Sequence, residues 1–250
     1  MLDKLSTKAR WTSRSLEHLP TLESNEIHLW LLPLEISHEQ QAIAKTWLNS
    51  TQKSKYEKRL KSGRDSSYLA GRYYLYKLIS GYSGQPAKEI ELSYTRLNKP
   101  YLRETDSNLF FNFSDTADEN GSIGIFAFSR SGEVGVDIES LGRSGNFSSI
   151  VEKRFSPLEQ SIVIDQRGKM NNEAFLCVWT RKEASGKATG QGINFKMNQR
   201  EVVGSMNSYH HYEDEFSKKW TLQQIRLSQE LISCVAYEGD QLKTIKTLTL

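Results

Sequence analysis

Apolar side chains recur along the chain with two different periods, which separate helical from extended stretches. Residues 26–34 (EIHLWLLPL) form an apolar run of strand length that Pro33 ends. Residues 37–48 read as a helix, and residues 53–61 (KSKYEKRLK) as a basic run. Between residues 64 and 80, Leu69, Tyr73, Tyr76 and Ile79 fall on one helical face, and the glycines at 81 and 84 stop the helix. Short extended runs follow at 90–94 and 109–113, and the runs at 123–128 and 133–138 predict a hairpin turning across residues 130–132. Ser156-Pro157-Leu158-Glu159 is a capping box with proline at the first helical position, so a helix starts there. The strongest helical pattern spans 171–189, with Phe175, Val178, Trp179 and Lys182 along one side, and the tail from 220 to 250 alternates as strands do. Residues 1–25 read as a polar lead-in, 140–149 as a Gly/Ser-rich loop, and the polar stretch around His210 and His211 as a hydrated loop. Helices intermixed with hairpins predict an α+β fold rather than a parallel α/β sheet.

Composition narrows the classes. The 250 residues carry 33 basic and 30 acidic side chains, and a net charge of +3 gives no general affinity for nucleic acid or an anionic membrane. Local basic clusters still suit a polyanionic ligand. Cys177 and Cys234 lack metal-type spacing and lie in apolar stretches, so both read as buried hydrophobes in a reducing compartment. No apolar h-region begins the chain, and the apolar run near Trp30 is too short to span a bilayer, so a cytoplasmic protein is expected.

Chemistry concentrates in two segments, Gly135-Val136-Asp137-Ile138-Glu139 and Trp179 to Lys187 (WTRKEASGK). On a strand, residues two apart share a face, so Asp137 and Glu139 would present two carboxylates together. On a helix, residues four apart share a face, which sets Glu183 beside Lys187. If strand and helix meet, three carboxylates gather next to an ammonium group. A few hard oxygen donors suit Mg²⁺, which completes its shell with water and substrate phosphates. Taken singly, each segment reads first as an ordinary exposed strand end or a solvated helix pair, and only their combination and order change that.

Together and in this order, G-V-D-I-E and W-x-x-K-E-A-x-x-K-x-x-G-x-G (Trp179 to Gly192) resemble the signature of the 4′-phosphopantetheinyl transferase superfamily. The resemblance extends over most of the chain. The strand near Trp30, Arg64-Asp65 with Leu69-Ala70-Gly71-Arg72, the turn Asn98-Lys99-Pro100-Tyr101-Leu102, Phe111-Asn112-Phe113-Ser114, and Phe155 to Glu159 each resemble family segments. Length and motif order are similar to the monomeric, surfactin-synthetase-activating (Sfp) type. The resemblance implies a pseudo-dimer of two similar α+β halves with the active site in the cleft between them, drawn at residues 26–125 and 126–250. It implies transfer of 4′-phosphopantetheine from coenzyme A to a serine of an apo acyl or peptidyl carrier protein, with release of 3′,5′-ADP. It also implies Asp137, Glu139 and Glu183 as ligands of Mg²⁺ (Mn²⁺ as the alternative), Glu183 as the base, and Lys187 on the CoA pyrophosphate. Lys99 and Ser114 correspond to CoA-contacting positions, and Lys55 to the cation on the 3′-phosphate, with Lys53 and Lys58 as alternatives for that part.

One position departs from the family pattern. Asp115 stands where a histidine usually follows the serine of F-N-x-S, and an ionised aspartate cannot donate to a phosphate oxygen. Asp115 is therefore expected to lower CoA affinity without abolishing transfer. It also keeps open a second reading, a catalytically weak paralogue that binds CoA or a carrier protein. A third reading, a nucleic-acid-binding module built on residues 53–61, is disfavoured by the near-neutral charge. The segment 140–154, with Arg143, Phe147, Ile150, Val151, Lys153 and Arg154, reads equally as a carrier-docking surface and as a helix with Phe147 and Val151 in the core.

Overall fold

The computed structural model describes residues 6–61, 63, 65–103, 108–118, 121–192, 197–204 and 208–250. Arg64, part of the sequence reading, lies outside them. The fold is α+β. Along the chain run β1 (Thr7–Lys8), β2 (Trp11–Ser13), β3 (Glu26–Pro33), α1 (His38–Trp47), α2 (Ser50–Leu60) and α3 (Asp65–Ser83). Then come β4 (Leu92–Tyr94), β5 (Pro100–Leu102), β6 (Phe110–Asp118), β7 (Gly121–Ser129), β8 (Val134–Ser140), α4 (Ser148–Arg154), α5 (Pro157–Val163) and α6 (Asn172–Thr189). The chain ends in β9 (Tyr209–Glu213), β10 (Lys219–Arg226), β11 (Leu231–Glu238) and β12 (Thr244–Thr249).

Two five-stranded sheets form the frame. The first has the order β2-β12-β3-β7-β6, and the second runs β1-β10-β11-β8 with β9 also paired to β10. The hairpin expected across 130–132 does not form. β7 pairs with β3 and β6, whereas β8 pairs with β11, so the chain changes sheets at that turn. Every residue of β8, and Gly124 to Ser129 of β7, is buried. A two-stranded ribbon could not cover both faces of such strands: β7 lies between β3 and β6, while β8, at the end of its sheet, is covered by α6 and β6.

The ends of the chain cross between the sheets. β12, last in sequence, inserts parallel between β2 and β3, while β1 pairs in parallel with β10 of the other sheet. Within the lead-in, Thr7–Lys8 and Trp11–Ser13 are short strands, paired with β10 and β12. A division at residues 125 and 126 falls inside β7. His210 and His211 likewise sit in strand β9 rather than in a loop, with His211 Nδ1 2.9 Å from Thr221 Oγ1.

α3 buries Leu75, Leu78 and Ile79 with Trp30, Phe126 and Phe128 in the first core. α6 buries Phe175, Leu176 and Val178 with Leu222, Ile232 and Cys234 in the second. Ile125 and Ala127 join Val136, Ile138 and Val235 in a third cluster between the sheets. Cys177 and Cys234 are free and buried, and burial pushes both thiols up to about 12.

Candidate active site

The site forms where β6, β8 and α6 meet. Gly135 makes the meeting possible: a Cβ there would fall 2.3 Å from both Ala184 O and Ala188 N, so only glycine lets β8 lie against the α6 backbone. The same contact brings the strand carrying Asp137 and Glu139 against the helix carrying Glu183 and Lys187. β6 is locked to β8 by side chains, since Asn112 Oδ1 accepts from Val136 N at 3.1 Å. Two residues on, and therefore on the same face of β6, Ser114 Oγ donates to Asp137 Oδ1 at 2.8 Å.

Lys187 Nζ closes the cluster, donating to Ser114 Oγ and to Asp137 Oδ1 at 2.7 Å each. Asp137 Oδ2 is buried with no hydrogen-bond partner, a costly state for a carboxylate oxygen. Glu139 Oε1 accepts from Arg143 and, at 3.1 Å, from Trp179 Nε1. Burial, reinforced by the charge of Asp137, pushes Glu139 up to about 7, and the same two causes push Glu183 up to about 7. Three acidic side chains thus share one buried neighbourhood, in which the charge of Asp137 raises the proton affinity of both glutamates.

This donor set suits a hard divalent cation in chemistry: it offers carboxylate oxygens only, one of them buried and unpartnered. Among the described residues, however, no three metal-binding side chains stand together as a ready coordination cluster. Lys187 and Arg143 already neutralise Asp137 and Glu139.

On the other face of β6 lies a basic pocket of about 470 Å³, lined by Lys55, Lys58, Arg59, Arg72, Phe113 and Asp115 among others. Lys55 is exposed on α2 with its ammonium 5.5 Å from the Tyr94 ring centroid. Arg72 sits between the rings of Tyr68 and Phe113, at 5.5 and 5.4 Å, and its Nε is buried without a partner. Among the described residues Arg72 has no ion pair, and it lines the pocket. Asp115 is exposed, lines the same pocket and forms no ion pair among the described residues.

Lys99 is elsewhere. It is 9 % exposed and does not line the basic pocket. Its ammonium donates to Glu133 Oε2 at 2.5 Å, to Ala188 O at 2.6 Å and to Val134 O at 3.3 Å. It therefore ties the β4–β5 turn to the start of β8 and to the last turn of α6, where a cation is favourable. In segment 140–154, Phe147 and Val151 are core: Phe147 stacks on Phe175 at 4.3 Å, and Val151 is 1 % exposed.

Sequence reasoning missed a buried ion pair beneath the site. Lys182 Nζ lies 2.7 Å from Glu159 Oε2, both side chains fully enclosed. Lys182 also donates to Met197 O and Arg200 O, while Glu159 accepts from Ser156 N and Val202 N. The capping box identified Glu159 as a local helix-start residue, and nothing in that motif shows its second, long-range partner.

Two carboxylate-bearing elements and a lysine over a serine hydroxyl therefore stand beside a cationic pocket. Residues 133–236 match the family model described as the 4′-phosphopantetheinyl transferase superfamily. The chain is 26% identical over 221 residues to the 4′-phosphopantetheinyl transferase HetI of Nostoc sp., covering 88% of this chain and 90% of that protein. It is 33% identical over 127 residues to the 4′-phosphopantetheinyl transferase AcpT of Salmonella typhimurium, covering 51% of this chain and 60% of that one. It is 25% identical over 184 residues to the mouse L-aminoadipate-semialdehyde dehydrogenase-phosphopantetheinyl transferase, covering 67% and 60%. Residues 133–236 thus carry a domain that matches the 4′-phosphopantetheinyl transferase superfamily, and the relatives matched over more of the chain bear that activity in their names.

Proposed function

We propose that this protein transfers the 4′-phosphopantetheine arm of coenzyme A to a serine of an apo acyl or peptidyl carrier protein, releasing 3′,5′-ADP. One observation carries the reading: Lys187, Ser114 and Asp137 form a buried cluster that leaves Asp137 Oδ2 unpartnered, and the next residue along β6 faces a pocket of cations. Lys55, Arg72 and their neighbours hold the phosphates of the nucleotide end. Lys187 turns from Asp137 to the pyrophosphate and supplies positive charge where the leaving group departs. Glu183, buried on the facing helix, accepts the proton of the attacking serine hydroxyl. Asp137, Glu139 and Glu183 would hold Mg²⁺ or Mn²⁺, which when bound neutralises charge on the pyrophosphate oxygens. Lys99 acts in this scheme from beneath the site rather than on CoA.

The remaining parts of the proposal follow the resemblance: an Sfp-type monomer, a pseudo-dimeric arrangement in which the two sheets exchange their terminal strands, and a cytoplasmic location. No helix among the described residues is long and apolar enough to cross a membrane. The test is incubation with CoA, Mg²⁺ and a panel of apo carrier proteins, read by intact mass. Wild-type protein should add one phosphopantetheine group, and Asp137→Ala, Glu183→Ala or EDTA should nearly eliminate the addition; undiminished transfer without metal refutes the ligand assignment. Asp115 adds negative charge to the basic pocket, so Asp115→His should lower the KM for CoA. An unchanged or higher value sinks that idea, and transfer absent from every carrier favours the weak, binding-only paralogue.

A further inference from the structure

A second concave site lies apart from the one described above. It is a cleft of about 720 Å³ between the sheet edges where the terminal strands cross over. Its walls come from the strap of residues 7–14, from Gln223 and Ile225 on β10, and from Ile245 to Leu248 on β12. None of the active-site residues lines it. Four cations do, Lys8, Arg10, Arg14 and Lys246, and no acidic residue does. In a chain with 33 basic and 30 acidic side chains, such one-signed lining is a local departure from balance.

The wall is built rather than draped. Ala9 N donates to Arg226 O at 3.0 Å, Thr247 Oγ1 to Arg10 O at 2.6 Å, and Arg14 N to Thr249 O at 2.8 Å. The strap is thereby fastened to both sheets, with its long basic side chains exposed. Lys246 is engaged by Glu26 at 2.6 Å. Lys8 and Arg10 form no ion pair among the described residues. Gln223 Oε1 accepts from Tyr237 Oη at 2.6 Å, which fixes its amide and leaves the NH₂ group as a donor at the cleft. Ala9, Ile225 and Leu248 supply apolar surface in the same cleft.

We infer that this cleft binds a small organic polyanion, with phosphate or carboxylate groups held by Lys8, Arg10 and Arg14 and its body against Ala9, Ile225 and Leu248. The volume is that of a small-molecule site, roughly 300–1,000 Å³. The mixture of cations at the rim with an apolar interior favours a compact ligand over an extended nucleic acid, which would follow a basic stripe. Because the strap, β10 and β12 all contribute, a bound anion would bridge the two sheets. The inference does not depend on the transfer reaction, since no residue of the proposed transfer machinery takes part.

The test uses the whole protein, labelled for NMR, titrated at moderate salt with ADP in one arm and citrate in the other, which separates phosphate from carboxylate recognition. Amide shifts should appear at residues 7–14, 223–225 and 245–248, apart from any at the basic pocket near Lys55 and Tyr68. The double variant Lys8→Glu/Arg10→Glu should weaken the cleft response about tenfold or more, leaving the pocket response and the transfer rate unchanged. A second variant, Gln223→Leu, guards against a strap that merely loosens: it keeps the cations and should weaken binding by a smaller factor. Absence of cleft shifts with both anions at millimolar concentration overturns the proposal, as does a charge-reversed variant that still responds like the wild type.

Discussion

Replacing Glu159 by glutamine should destabilise this protein more than any change to its exposed ion pairs. The Lys182 ammonium lies 2.7 Å from the Glu159 carboxylate with both side chains at 0 % exposure. Burial drives Glu159 up and Lys182 down in proton affinity, and each partner's charge opposes the other's shift. Removing one partner of a buried pair typically costs about 3–5 kcal/mol, because the other charge stays desolvated. Glutamine keeps an acceptor for one of Ser156 N and Val202 N, yet it can turn an NH₂ toward the ammonium, so Glu159→Gln belongs at the upper end. Lys182→Met leaves a carboxylate that still holds two backbone donors and can take up a proton, so it belongs at the lower end, about 3 kcal/mol. With roughly 2–4 °C per kcal/mol for a chain of this size, the melting temperature should fall by about 6–20 °C. Urea unfolding followed by circular dichroism gives the free energies, and the double variant Glu159→Gln/Lys182→Met closes the cycle. Its loss should be smaller than the sum of the single losses by about 2 kcal/mol or more. A single variant within about 1 kcal/mol of wild type, or strictly additive losses, would refute the claim that the two charges are energetically one unit.

Gly135→Ala should place a methyl group against backbone atoms of Ala184 and Ala188 that cannot turn aside. Stability should fall by about 1–3 kcal/mol, while carrier modification measured by intact mass falls roughly 10²-fold, since β8 and α6 can no longer hold their spacing. Lys99→Met should cost about 3 kcal/mol and depress kcat with little change in the KM for CoA; a KM raised tenfold at intact stability would return Lys99 to the ligand. His28 is buried between Tyr82 Oη at 2.7 Å and the Glu26 carboxylate at 3.2 Å, and burial holds its pKa below the ordinary 6.5. The unfolded chain therefore takes up a proton that the folded one resists, so stability is lost as pH falls below about 6.5. His28→Gln should flatten that loss between about pH 7 and pH 5.5 in denaturant titrations, and an unaltered pH profile would count against the buried neutral imidazole.

Legibility from sequence followed the range of the interaction. The capping box at Ser156, the helical face of α6 and the D-x-E strand are local patterns, and the structure forms them as expected. The hairpin at 130–132 failed because two apolar strands joined by a short turn look alike whether they pair with each other or enter different sheets. Only the burial of both faces of β8 distinguishes the cases, and that depends on distant β11 and α6. The partners of Lys99 and Lys182 were not legible for a related reason. Each lysine neutralises a carboxylate and carbonyl oxygens supplied by other segments, Glu133 and Ala188 for one, Glu159 and Met197 for the other. The motifs that appear separate in sequence are thus halves of single contacts. Asn112 holds Val136, Ser114 holds Asp137, Glu159 holds Lys182 and Lys99 holds the end of α6. Together they hold β6 to β8, α5 to α6, and, through Lys99, β8 to α6, which is the arrangement that Asp137, Glu183 and Lys187 need to act together. It follows that a substitution in any of these pairs should impair transfer through the placement of the carboxylates, even where the altered residue never touches substrate.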